Sequence, residues 1–220
     1  MQLKSQPINF EHFEIEVTSA SFVEISLRSG LVNDKFPEEV FKSSYSIEHN
    51  QLTLLIPENG ERIAQILAHF LRVALLEAKK KFSFETVFSH SSKLDIMRKA
   101  KAMGYKVYLY FVSTEDAEIN VYRVKEVRVA KGGHNVPEDK IRDRYTRSLD
   151  FLYDATKIAY QVYFFDNSYE KHLQFAHFKR TANGETWNPF DVKDLPEWFL
   201  KYYAVKRVEE NQKKKKRPKP

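Results

Sequence analysis

Residues of cationic or backbone-loosening type crowd positions 123–147, among them Arg123, Arg128, Lys131, Gly132, Gly133, His134, Lys140, Arg142, Arg144 and Arg147. Two adjacent glycines let a backbone turn tightly and come close to a ligand. Guanidinium forks converging across such a turn suit spread negative charge, phosphate oxygens above all. Glu138, Asp139 and Asp143 are interleaved with these cations. A solvated helical face laced with ion pairs therefore explains the pattern equally well. A second group, Glu85, Thr86, Ser89 and His90, lies in FETVFSH. A carboxylate inside so apolar a run is costly unless it serves a partner, a ligand or a strand end that reaches water. The third group, Asp166-Asn167-Ser168, follows the apolar run QVYFF. A turn accounts for it more simply than a ligand does. Seven scattered His, no Cys and no His-x-x-x-His spacing give no metal site.

The elements that must position these residues read as strands alternating with helices. Thr18 is placed to cap a helix that Gly30 stops, a short helix follows near 38–42, and YSIEHNQLTLLI reads as a strand or hairpin. Ile63, Ile66, Leu67, Phe70, Leu71, Ala74 and Leu75 share one helical face. FSFETVF (82–88) reads as a buried strand, 91–103 as a helix ended by Gly104, and KVYLYFV (106–112) as another strand. A helix over about 115–130 ends at Gly132-Gly133, and Pro137 opens the next, which leads to the strand QVYFFD (161–166). Beyond Ser168 a strand at 173–179, a turn at Asn183-Gly184 and a helix at 195–203 follow. Such alternation predicts an α/β fold, doubly wound, with a mostly parallel sheet and helices on both faces.

Composition bounds the partners. The 220 residues carry 36 Lys+Arg against 30 Asp+Glu. Lys213, Lys214, Lys215, Lys216, Arg217 and Lys219 supply the whole excess, so the chain up to residue 212 is neutral. Nucleic acid is expected only as a weak contact of that basic tail. No apolar run of about 20 residues predicts a membrane span. The first residues have no secretory pattern and there is no Cys, so the cytoplasm is the expected compartment.

Taken in order, FSFETVFSH, KLDIMRKAKAMGYKVYLYFV, RVKEVRVAKGGHNVPEDKIRDRYTRSL and the DNS triplet resemble the zeta-toxin-like P-loop kinases, also described as predicted ABC-type ATPases. The resemblance covers roughly residues 61–168. It implies a P-loop-kinase sheet, ATP with Mg²⁺, and phosphoryl transfer to a small molecule such as a nucleotide-activated sugar. An antitoxin protein is the implied partner. Arg128, Arg144 and Arg147 match the basic lid that closes over the phosphates in catalysis. Glu85, Thr86, Ser89 and His90 match the substrate side, and Arg142, His134, Asp166 and Asn167 the nucleotide side.

The sequence departs from this pattern at one decisive place. None of its glycines, at 30, 60, 104, 132, 133 and 184, is followed by Lys, so no register yields G-x-x-x-x-G-K-[ST]. The family's first βα unit is therefore expected to be missing or replaced, and the chain truncated before the phosphate loop. Residues 1–60 read as a variable insert-like segment, 61–205 as the kinase-like core and 206–220 as a disordered basic tail. The alternative is a catalytically inactive module that keeps the basic lid and binds a phosphate-bearing ligand or a partner without turnover.

Overall fold

The computed structural model describes residues 6–133, 135–189, 191, 193 and 195–216. The chain divides into two compact units, Met1–Phe84 and Glu85–Pro220.

In the first unit, β1 (Ile8–Asn9), β2 (Tyr45–Glu48) and β3 (Gln51–Leu54) form an antiparallel sheet in the order β1-β3-β2. The hairpin β2–β3 turns at His49 and Asn50, both at positive φ (48° and 59°), as a tight two-residue hairpin loop requires. The Asn50 side chain then accepts from Val17 N (2.9 Å) and donates to Ile15 O (2.9 Å), which ties the turn to the chain before α1. Helix α1 (Ser19–Leu27) starts at Thr18, whose hydroxyl accepts from Ser21 N at 3.1 Å while Ser21 Oγ accepts from Thr18 N. After α2 (Glu38–Ser43), helix α3 (Gly60–Glu77) lays its apolar face over Phe10, Phe22, Phe41 and Leu52. Helix α3 thus belongs to this first unit and not to the one that holds the arginines.

The second unit contains α4 (Ser92–Ala102), β4 (Tyr108–Ser113), α5 (Ala117–Tyr122) continuing as a π-helix (Arg123–Val129), and α6 (Glu138–Ile158). Then come β5 (Gln161–Asp166), β6 (Leu173–Thr181), β7 (Gly184–Trp187), α7 (Glu197–Phe199) with a π-helical continuation (Leu200–Ala204), and α8 (Val205–Lys216). The sheet order is β4-β5-β6-β7. Only β4 and β5 are parallel; β5–β6 and β6–β7 are antiparallel.

This overturns the expectation of a mostly parallel, P-loop-kinase-like sheet with helices on both faces. Three physical reasons explain the difference. Residues 82–88 form no strand, so the parallel set lacks the member expected there. The tight turn at Ala182-Asn183 folds β7 straight back on β6, with Gly184 at φ 114°. Finally, the strands alternate instead of being buried on both sides. Leu109, Phe111, Val162, Phe164, Ala176 and Phe178 share the face under α4, α6 and α7. Tyr108, Tyr110 and Val112 point the other way and are exposed.

The C-terminal helix α8 is also ordered where a disordered tail is expected to begin. Glu210 pairs with Lys214 one turn on and with Lys157 of α6, while Arg207 pairs with Glu185 of β7. Among the described residues no helix is long and apolar enough to cross a membrane.

Phe164 is the centre of the second core. It is fully buried, with the rings of Phe175, Phe178, Trp187, Phe199 and Tyr203 at centroid distances of 4.9–6.2 Å. Phe164→Ala is expected to cost about 3–5 kcal/mol, read as a lowered urea midpoint with an unchanged slope. A loss below about 1 kcal/mol would show that the ring cluster does not hold the sheet to its helices.

Candidate functional site

The parallel pair brings two strand tips together, since Ser113 of β4 lies opposite Asp166 of β5. Carboxyl ends of parallel strands are where α/β sheets bind ligands. At these tips Asn167 N donates to Ser113 O at 2.7 Å. Ser168 donates through both N (3.0 Å) and Oγ (2.5 Å) to Asp166 Oδ1, and its Oγ accepts from Glu115 N at 2.7 Å. Arg123, at the start of the π-helical tract, donates to three successive carbonyls: Asn167 O (2.6 Å), Ser168 O (3.4 Å) and Tyr169 O (3.1 Å). Tyr145 of α6 donates to Thr114 O (2.9 Å) and Glu115 O (3.1 Å), and burial pushes its phenol up to about 12. Glu115 accepts from Glu197 N at 2.8 Å. Burial raises its carboxyl above the ordinary carboxylate range, that hydrogen bond opposes the shift, and the Asp166 charge adds to it.

Most polar groups at the tips satisfy one another, so the loop is held by its own chemistry. The side-chain amide of Asn167 makes no hydrogen bond among the described residues and remains available to a ligand. Sequence reasoning picks out Asp166 and Asn167 here but misses Glu115 and Tyr145. It notes Arg123 only as one cation among many. A half-buried Arg that meets carbonyls instead of carboxylates leaves no mark in spacing or charge pattern.

The arginine-rich stretch divides into committed and uncommitted groups. Arg142 grips Glu118 of α5 with both arms (Nε–Oε1 2.6 Å, Nη2–Oε2 2.8 Å) and also reaches Glu138 at 2.9 Å. These hydrogen bonds raise its already high pKa and lower that of Glu118, while Glu138 is lowered first by its hydrogen bond with Lys125 and then by that with Arg142. Arg147 pairs with Asp143 one turn back at 2.6 Å. The side chains of Arg128 and Arg144 are exposed and make no hydrogen bond or ion pair among the described residues.

The double glycine between them terminates a helix. Gly133 N donates to Arg128 O (2.8 Å) and Gly132 N to Val129 O (2.9 Å), with Gly132 at φ 79°, the pattern of a Schellman cap. A Cβ at Gly133 would lie 2.5 Å from Arg128 Cγ and 2.8 Å from Arg128 O. Helix termination alone thus requires both glycines. His134 lies outside the described residues.

The segment before α4 has no regular structure, so Glu85 and Thr86 are exposed on an irregular segment and not at a strand tip. The hydroxyl of Thr86 accepts from Phe88 N at 3.4 Å. His90 Nδ1 lies 3.0 Å from Ser92 Oγ and accepts from Ser92 N (3.2 Å) at the start of α4, while Ser89 is half-buried. Among the described residues no hydrogen bond or ion pair joins Glu85, Thr86, Ser89 or His90 to Arg128, Arg142, Arg144 or Arg147. No three His, Asp or Glu side chains gather to hold a metal ion there either.

This geometry defines a mixed α/β module with a self-braced pair of strand tips and a cationic helix beside them. The chain is 31% identical over 103 residues to an uncharacterized protein of Haemophilus influenzae. The match spans 45% of this chain and 73% of that protein, and the chain belongs to the same family as that Haemophilus protein. No protein-family model and no solved structure matches the sequence.

Two outcomes test the tip geometry. Arg123→Ala frees three carbonyls and is expected to lower stability by about 1–3 kcal/mol in urea unfolding; an unchanged midpoint would mean that water replaces the guanidinium at no cost. For Glu115, a raised carboxyl pKa contributes stability below the ordinary carboxylate range and loses it as pH rises through the raised value. From about pH 4 to about pH 7, wild type is therefore expected to lose more unfolding free energy than Glu115→Gln. Equal changes would show that this carboxyl is not coupled to folding.

Proposed function

We propose that the protein acts in ATP-dependent phosphoryl transfer to a small molecule, in the manner of zeta-toxin-type kinases, with a nucleotide-activated sugar as a candidate substrate class. One observation carries the reading. Arg128 and Arg144 flank the Gly132-Gly133 cap with guanidinium groups that no described residue engages, whereas Arg142 and Arg147 are bound by carboxylates. Free guanidinium forks on either side of a tight turn are suited to a polyphosphate. In this reading Arg128 and Arg144 bind phosphate oxygens, Arg142 fixes α5 against α6, and the Asn167 amide at the strand tip orients the ligand. The cytoplasm and a proteinaceous antitoxin belong to the same proposal.

The fit to the full cofactor is partial. The chain contains no Gly-Lys phosphate loop. The described residues offer no cluster for a metal ion, so no step is assigned to Mg²⁺. Phosphoryl transfer is mostly positioning and electrostatic stabilisation. Two arginines alone supply binding more readily than rate. That absence favours a second reading, a module that binds a phosphate-bearing ligand without turning it over.

Calorimetry with Mg·ATP on the full chain tests the shared claim. Saturable heat is expected, with affinity reduced about tenfold in Arg144→Ala and in Arg128→Ala. No heat at millimolar nucleotide would sink both readings. Transfer of the terminal phosphate to a small-molecule acceptor, abolished in Arg144→Ala, selects the kinase; binding with no transfer selects the module.

A further inference from the structure

The second sheet leaves one whole face uncovered by its own helices, and that face is aromatic. Tyr110 of β4 stacks on Tyr163 of β5 with centroids 4.7 Å apart and planes 7° from parallel. Tyr163 meets His177 of β6 at 5.4 Å, so three rings run in a row across three strands. Tyr110 also lies 6.5 Å from Phe165, at 25°. The row ends in the open, because β4 is the edge strand and nothing pairs with its outer side among the described residues. Tyr110 is 62% exposed, an unusual fraction for a ring in a strand.

Charge on this face has a single sign. None of the β4–β7 residues that point to it is Asp or Glu: Asp166 and Glu185 fall on the opposite side by register. Lys106 and Lys179 are exposed at one end, each over the ring of Tyr160 (5.2 and 5.6 Å), which in turn meets Tyr108 at 5.8 Å. The chain is neutral overall up to residue 212, so this local segregation is invisible in its net charge.

Self-stacked rings with a free outer face, lysines at one end and no carboxylate between them attract planar groups joined by anions. We propose that this sheet face binds single-stranded nucleic acid, with bases continuing the Tyr110–Tyr163 stack and the phosphate backbone running past Lys106 and Lys179. Base stacking on aromatic side chains combined with cationic contacts is the general means of sequence-tolerant single-strand binding. The site is separate from the Arg128–Arg144 ligand site proposed above.

Fluorescence anisotropy with a labelled ten-nucleotide oligo-U at low salt, using the full chain, tests this. Binding is expected with a dissociation constant of about 1–100 µM that weakens as salt rises. It should persist when Lys213, Lys214, Lys215 and Lys216 are all changed to Ser. Tyr110→Ala and Tyr163→Ala should each weaken it about tenfold, Tyr110→Phe should retain it, and Lys106→Ala should flatten the salt dependence. Unchanged thermal melting of Tyr110→Ala keeps misfolding apart from lost binding. The idea fails if the tail substitutions abolish binding, if the two Ala variants bind like wild type, or if a duplex of the same length binds as tightly. It also fails if light scattering shows a wild-type dimer that Tyr110→Ala dissociates while no oligonucleotide binds, since the face is then a self-interface.

Discussion

The parallel pairing of β4 with β5 is the constraint from which the second unit follows. Parallel strands cannot be joined by a hairpin, so the chain must leave β4, cross the sheet and return. That obligation produces α5, its π-helical continuation, the glycine cap and α6 in one excursion. It also places the ends of both strands side by side, where Ser113, Asp166 and the following turn bond directly. Every cation at 123–147 is therefore carried by the crossover, and its two helices are braced to each other by Arg142, Glu118 and Glu138. Exposed ion pairs of this kind contribute little stability each. Their weight lies in fixing the register of two helices that share few buried residues.

The sheet's two faces divide the labour. One is filled by aromatic rings packed around Phe164, and the π-helical turn at Leu200–Ala204 brings Tyr203 into that cluster. The other keeps a row of rings in contact only with one another. An edge strand this uncharged and this aromatic normally needs protection against pairing with other chains. Tyr-Leu-Tyr-Phe-Val-Ser contains none of the usual devices: no Lys, no Pro and no bulge.

Much of the fold is legible in the sequence where local chemistry and tertiary context agree. Thr18 caps α1, the heptad-like apolar face marks α3, Pro137 opens α6, and QVYFFD is β5 over the same residues. The failures share a cause. FSFETVF has strand-like residues but no partner strand beside it, and propensity does not supply hydrogen-bond partners. KVYLYFV alternates Tyr-Leu-Tyr-Phe-Val in the manner of a one-sided strand, yet tyrosine is apolar enough to pass for core, and a doubly covered sheet results from that reading. At the candidate site the cations are visible but not their commitments. Nothing in the spacing distinguishes Arg142, held by two glutamates, from Arg144, held by none. The glycine pair is conspicuous for a reason that the chain itself supplies, the Schellman closure onto Arg128.

The π-helical stretch from Arg123 to Val129 sets the angular phase between α5 on one side and the glycine cap on the other. Its wider turn absorbs one more residue than an α-helix of the same rise would hold. Removing a single residue there and letting the segment relax to α-helical winding would leave the downstream chain near its present phase, whereas removing one from an α-helical turn would swing everything downstream by about 100° about the axis. Arg123, anchored on the strand-tip carbonyls, stands at the start of this tract and Arg128 near its end. The aim of the exposed guanidinium is thus decided by the winding of this stretch as much as by which residues occupy it, because Arg123 and Arg128, five positions apart, lie nearer one face in a π-helix than in an α-helix.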